Sequence, residues 1–424
     1  MIATFLGVFF ILLASGLPIA FVLGVTTLIM LLLFSQTPLI MIPDVMYSSL
    51  NSFTLIAIPF FVIGAQFMVR GGTSKYLINA ANCYVRHLWG GLAIVAVLGC
   101  MLFGAICGSS TATALAMGVF MIPEMTKRGY SRHFAAGLIA AAGTMGAIIP
   151  PSLGLLLYGI LASESIPRLF LAGVMPGILE GALYIAWICV YSRKKGYRGG
   201  ERATGKETLD ATLKALPALS LPVIVLGGIY SGIVTVTEAA ALASVAALVI
   251  SLFIYREVKP KEIISIAGEA MMSAGMIMFI MSTALLFGHW VTETGIPLRV
   301  VAFVSDMNLS PFLLLLFINI LFLILGCFLD AVSITLITVP ILLPVVQHMG
   351  IDLVHFGIVL TVNMELGAIT PPVGLNLFVL AGATRAPLSE VIRGAFPFMF
   401  LDLIQLAIIT YIPQFVLFLP NLLM

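Results

Sequence analysis

Charge is nearly missing from this chain. Asp, Glu, Lys and Arg make up 9% of its 424 residues, and hydrophobic residues make up 61%. An ordinary soluble domain carries about 25% charged residues, so that class is excluded. The long apolar stretches instead describe a multi-pass membrane protein. The formal net charge of +2 comes with no basic tract, so no nucleic acid is expected as a partner. Cysteine is sparse and scattered: Cys83, Cys100, Cys107, Cys189 and Cys327 form no CxxC and no Cys/His spacing. That leaves no disulfide framework and no zinc site, and packing is the expected role of each. The N-terminus lacks a basic segment and a small-residue cleavage site, so Met1 to Phe34 reads as membrane span rather than removed signal. Catalytic patterns are missing too. There is no HExxH, no Ser/His/Asp set and no paired intramembrane Asp motif. His87, His133, His289, His348 and His355 all fall near expected span ends. An enzyme is not expected.

What the chain does have is a pattern stated twice. Gly104-Ala-Ile-Cys-Gly-Ser-Ser-Thr-Ala-Thr113 is followed by Gly146-Ala-Ile-Ile-Pro-Pro151. Gly326-Cys-Phe-Leu-Asp-Ala-Val-Ser-Ile-Thr335 is followed by Gly367-Ala-Ile-Thr-Pro-Pro372. At a shift of 221 residues Pro123 meets Pro344, Gly129 meets Gly350, Gly146 meets Gly367, Gly173 meets Gly394 and Pro176 meets Pro397. One constant offset over that stretch predicts a duplicated unit of roughly two hundred residues.

Each half reads alike. Apolar spans fall at 2–16, 18–34 and 53–69, with a surface-lying piece at 38–52 and an amphipathic one at 73–87. A re-entrant hairpin is expected at 88–126, because its second arm, 112–126, is about 22 Å long against a hydrocarbon core of about 30 Å. A helix broken at Pro150-Pro151 covers 133–163, a span covers 168–192, and 193–214 is a polar linker. The second half gives spans at 216–233 and 239–255, an amphipathic piece at 262–274 and a span at 275–291. A second hairpin follows at 311–347, then a helix broken at Pro371-Pro372 and a last span at 395–418. Tandem prolines remove donors and push their neighbours out of helical space, so both breaks are unwound joints.

Five crossings per half, with the hairpin counted as none, invert the second half relative to the first. With the linker cytoplasmic, 18 of the 20 Lys and Arg lie inside and only Arg168 and Arg299 outside, as the positive-inside rule requires. Both termini are then periplasmic, and the hairpins open to opposite sides. The fold class is an all-α polytopic membrane protein, an inverted repeat with two re-entrant hairpins and two discontinuous helices. Such a fold puts broken backbone at the midplane, where it must line a cavity. Carbonyls and hydroxyls there suit a small cation, and helix N-termini suit an anion. Asp330, with no cation near it in sequence, is explained by a bound cation or by a protonated cap on the second arm. Glu180 and Asp402 occupy corresponding spans, either structural or protonated, and Glu365 precedes Gly367 by two residues.

Gly108-Ser-Ser-Thr-Ala-Thr113, Gly146-Ala-Ile-Ile-Pro-Pro-Ser152 and Gly367-Ala-Ile-Thr-Pro-Pro372 resemble the large membrane subunit of TRAP transporters over essentially the whole chain. The resemblance implies a sodium-coupled importer of organic acids in the bacterial inner membrane, working by an elevator motion. It implies two partners, a small four-helix membrane subunit and a periplasmic substrate-binding protein. Because the chain begins directly in the large-subunit pattern, the small subunit is expected as a separate chain. By motif match, one sodium ion falls to Gly108, Ser109, Ser110 and Gly146, and a second to Asp330, Ser333, Gly367 and Thr370. Thr111, Ser152, Thr335, Asn363 and Asn376 are the candidate substrate contacts, beside the breaks at Pro150, Pro151, Pro371 and Pro372. The overall resemblance leans to sialic acid, with dicarboxylates the other common cargo. The rival reading is a sodium/dicarboxylate symporter that needs no binding protein. The expected division is scaffold and arm helices at 1–87 and 215–310, and transport domain at 88–165 and 311–385. A span with the linker fills 166–214, and the last span fills 386–424.

Overall fold

The computed structural model describes residues 1–35, 38–307 and 309–424. Among them every regular element is a helix. The chain opens with α1 (Ile2–Ala14), α2 (Ile19–Phe34), α3 (Met41–Leu50), α4 (Ala57–Arg70) and α5 (Thr73–Val85). A helix pair, α6 (Gly91–Cys107) and α7 (Ser110–Lys127), comes next. The first broken helix is α8 (Arg132–Ala142), α9 (Met145–Ile148) and α10 (Leu153–Ala162), and α11 (Ile166–Lys195) closes the half. The second half begins with α12 (Gly205–Tyr230), α13 (Val236–Val249), α14 (Ile263–Glu293) and α15 (Ile296–Asp306). Then come the pair α16 (Pro311–Gly326) and α17 (Ala331–His348), the broken α18 (Leu353–Ala368) and α19 (Leu375–Thr384), and finally α20 (Leu388–Tyr411) and α21 (Pro413–Leu423). Seven helical stretches are long and apolar enough to cross a bilayer alone, eight if the pair bent by 40° around residues 149–152 counts as one span.

Three sequence expectations are corrected here. The pieces 262–274 and 275–291 are one helix, α14. No proline interrupts it, and Gly268 and Gly275 weaken a helix without ending it. The linker 193–214 is helical at both ends. Thr204 and Glu207 form a capping box, each side chain accepting from the other's backbone N–H, and this starts α12 inside the polar segment. The last span begins at Leu388 and ends at Tyr411, because Pro413 cannot continue the ladder.

Packing follows from where backbone can approach backbone. Helix α4 packs on α13 and α14, α12 on α5 and α13, and α2 on α14, while α5 and α14 also reach α6 and α17. α11 and α20 pack among the broken helices instead. The tightest joint is between α8 and α20, where a methyl on Gly137 would sit 1.9 Å from the Gly394 carbonyl carbon. The large apolar residues Phe312, Leu316, Phe317, Ile320 and Ile324 of α16 are exposed, which suits a face that meets lipid.

Candidate functional site

The two breaks are built on a pair of crossing glycines each. A methyl on Gly104 would lie 2.7 Å from Gly146 Cα, and one on Gly326 would lie 2.9 Å from Gly367 Cα. The first arm of each helix pair therefore rests backbone-to-backbone on the break of its own half. The outer arms reach across: α7 packs on α19, and α17 packs on α10. Both breaks carry a cis peptide, Pro150-Pro151 and Pro371-Pro372.

At the first break, Gly108 ends α6 with φ +64, a conformation that glycine adopts without a Cβ penalty. Its carbonyl accepts from Leu153 N at 3.2 Å, tying the turn to the start of α10. Ser109 stands at the N-cap of α7; its hydroxyl is 3.3 Å from the Thr111 hydroxyl. The Ser109 carbonyl accepts from Thr113 Oγ1 at 2.8 Å. Both oxygens crowd Gly146, where a methyl would sit 2.4 Å from Thr113 Oγ1 and 2.7 Å from Ser109 O. Ser110 is buried beside Glu365. Ser152 is buried and closed on itself, accepting from Leu155 N at 3.3 Å and donating to Ala147 O at 2.5 Å.

At the second break, Val373 N donates to Cys327 O at 3.3 Å. Asp330 caps α17: its carboxylate accepts from Ser333 N at 3.1 Å and from the Ser333 hydroxyl. Thr370 Oγ1 donates to Leu366 O at 2.7 Å, and Thr335 Oγ1 to Ala331 O at 2.8 Å. Asn363 and Asn376 are fully buried. Asn363 Nδ2 donates to Asn319 Oδ1 at 2.9 Å, and Asn376 Nδ2 donates to Ala140 O at 3.4 Å. The structure thus gathers Gly108, Ser109, Ser110 and Gly146 at one turn, and Asp330 and Ser333 at the other. Ser152, Thr335 and Asn363 each already hold an internal partner.

No group of three or more His, Cys, Asp or Glu among the described residues is placed to hold a metal. The oxygens on offer are carbonyls, hydroxyls and one carboxylate, a donor set for a hard cation such as an alkali or alkaline-earth ion. The chain matches the family model described as "Tripartite ATP-independent periplasmic transporter, DctM component" over residues 6–415. It belongs to that family. It is 43% identical over 399 residues to the C4-dicarboxylate TRAP transporter large permease protein DctM of Pseudomonas aeruginosa, covering 94% of this chain and 93% of that one. It is 34% identical over 411 residues to the sialic acid TRAP transporter large permease protein SiaM of Vibrio cholerae, covering 97% and 96%. Among solved structures, the Alcanivorax borkumensis YdaH transporter has the same overall fold, with a TM-score of 0.64 and 12% identity over 87% of this chain and 86% of that one. This chain is therefore a multi-pass membrane permease component and not an enzyme.

Sequence reasoning never paired Gly104 with Gly146. A glycine one helical turn before each tip was the available signal. It also placed Glu180 and Asp402 only in corresponding spans. Each has a buried hydroxyl donor: Tyr184 donates to Asp402 Oδ1 and Oδ2 at 2.7 and 2.8 Å. Thr144 Oγ1 donates to Glu180 Oε1 at 2.7 Å.

Proposed function

We propose that this chain is the large membrane subunit of a sodium-coupled importer of a small organic acid. A periplasmic binding protein delivers the acid, and a small four-helix membrane subunit completes the permease. The bacterial inner membrane is its place. The observation that carries the reading is the duplicated break, with a turn rich in carbonyl and hydroxyl oxygen against each. Sodium is cargo there: Ser109 and the residues around Gly146 hold one ion, and Asp330 with Ser333 holds a second. Two cations beside a carboxylate substrate offset its charge in a low-dielectric interior. The higher identity to the dicarboxylate permease favours a C4-dicarboxylate over sialic acid, which stands as the second reading.

Ion pairs support the topology read from charge. Arg70–Glu269 at 2.8 Å and Arg86–Glu207 at 3.0 Å join ends assigned to the cytoplasm. Arg168–Asp352 at 3.5 Å joins ends assigned to the periplasm. Motion is read as an elevator. The helix pairs and breaks move as one body past α4, α12 and α13, along an apolar crevice lined by Phe60, Gly64, Met68, Ala105, Pro151 and Leu221. Few polar groups there resist sliding.

Reconstitution in proteoliposomes with the small subunit and the binding protein tests the reading. An inward sodium gradient should drive uptake of a C4-dicarboxylate, and omission of the binding protein should abolish it. Asp330→Asn should raise the half-saturating sodium concentration roughly ten-fold by removing a charge from a cation site. Uptake that ignores the sodium gradient overturns the proposal.

A further inference from the structure

Away from the two breaks, a cavity of about 500 Å³ lies beside the start of α12. Cys83 and Tyr84 of α5 line it, with Thr208, Leu209 and Thr212 of α12 and Arg202 from the segment before α12. The hydroxyls have already spent their hydrogens. Thr208 Oγ1 donates to Thr204 O at 3.1 Å, and Thr212 Oγ1 donates to Thr208 O at 2.7 Å. Tyr84 therefore gives its own to Thr212 Oγ1, at 3.0 Å. Arg202 is different. Its guanidinium joins no ion pair and no hydrogen bond among the described residues.

The backbone that presents Arg202 is tied on both sides. The Arg86 carbonyl accepts from Gly200 N at 2.8 Å, and Arg86 Nε donates to Glu201 O at 2.8 Å. Glu207 accepts from Thr204 N at 2.9 Å and pairs with Arg86 at 3.0 Å. The acid that could have answered Arg202 is thus already taken. Beyond the cavity the surface turns apolar. Leu209, Leu213 and Leu216 follow one face of α12 at intervals of four and three. They are 62%, 58% and 55% exposed. Val223 carries the stripe, at 70% exposure, into a helix long and apolar enough to cross a membrane. Residues 193–206 hold six Lys or Arg against Glu201 alone, short of a nucleic-acid tract and enough for an anionic membrane surface.

We propose that this cavity binds the phosphate headgroup of an anionic phospholipid, with Arg202 on the phosphate oxygens and an acyl chain along Leu209, Leu213 and Leu216. The planar guanidinium matches phosphate oxygens two at a time. A donor without a partner above a bare apolar stripe fits a molecule that is anionic at one end and hydrocarbon at the other. The site needs α12 to cross a membrane and takes nothing from the sodium reading.

Cys83 lines the cavity and is half-buried, so its alkylation by N-ethylmaleimide reports the occupant. Cys189, outside the cavity, is the reference in the same sample. The full chain in nonionic detergent is given dioleoyl-phosphatidylglycerol, dioleoyl-phosphatidylcholine or inorganic phosphate. Phosphatidylglycerol should slow Cys83 alkylation roughly five-fold, and the other two less than about two-fold. Arg202→Gln should raise the half-protecting phosphatidylglycerol concentration roughly five-fold. Lys194→Gln, an equal loss of charge outside the cavity, should raise it less than about two-fold. Both side chains are exposed, so neither change threatens the fold. Equal protection by phosphatidylcholine denies recognition of the headgroup charge. Equal protection by phosphate makes the ligand a free anion. Protection by the small membrane subunit that excludes phosphatidylglycerol makes this face a protein interface. Phosphatidylglycerol protection unchanged in Arg202→Gln puts the lipid elsewhere. Any one of these results overturns the proposal.

Discussion

The turn at Gly108 is sealed, and the turn at Cys327 is open. In the first half Cys107, Gly108, Pro150, Pro151 and Ser152 are all buried. In the second half Phe328 is 62% exposed and Pro372 and Val373 are exposed. The backbone plan is shared, since α7 and α17 lie 221 residues apart at both ends. The finish is different. Ser152 caps α10 with its own hydroxyl, whereas Gly374 begins α19 with no side-chain cap. Two residues separate α6 from α7, and four separate α16 from α17. A duplicated fold therefore supplies one joint closed by its own hydrogen bonds and one left to be completed by something else. Local stability should differ between them accordingly.

The largest expected effect breaks the joint that holds the two halves together. A methyl on Gly394 would sit 1.7 Å from the His133 carbonyl oxygen and 3.1 Å from Gly137 Cα. Those atoms are backbone and cannot turn aside, so α20 must lift off α8. Gly394→Ala should cost about 3 kcal/mol or more, the upper end for overpacking. Thermal unfolding in detergent measures it. A melting temperature equal to the native one would mean that the halves do not depend on this crossing.

The second effect compares the joints directly. Gly104→Ala and Gly326→Ala place the same methyl against the same kind of partner, Gly146 Cα and Gly367 Cα. The sealed turn cannot recoil; the open one can move outward. Gly104→Ala should cost about 2 kcal/mol and Gly326→Ala about 1 kcal/mol. Equal losses would erase the distinction between sealed and open.

Much of this was legible because glycine and proline are loud in an apolar chain. The tandem prolines, repeated at an offset of 221 residues, located both breaks. Other features were silent for physical reasons. Gly104 and Gly326 are 222 residues apart, one off that offset, so the constant shift hides their shared role. The pieces 38–52 and 262–274 look alike, but Asn51 and Ser52 end α3 while α14 runs on without a break. The bond from Tyr184 to Asp402 joins residues 218 apart in sequence. No local pattern in two apolar spans announces which polar groups will meet.

The smallest expected effect concerns the pair that opens the outer arms, Ser109 and Asp330. Both stand at an N-cap, yet only Asp330 uses its side chain there, accepting from Ser333 N at 3.1 Å. Asparagine caps a helix about as well as aspartate, and alanine does not. Asp330→Asn should leave unfolding within a few tenths of a kcal/mol of native, and Asp330→Ala should cost about 1 kcal/mol. Ser109→Ala, which removes a hydroxyl that makes no cap bond, should cost less than Asp330→Ala. Calorimetry without sodium isolates the cap from any bound ion. If Asp330→Asn destabilises as much as Asp330→Ala there, the carboxylate charge itself holds α17. The second joint would then be closed by its own charge and not open in the sense drawn here.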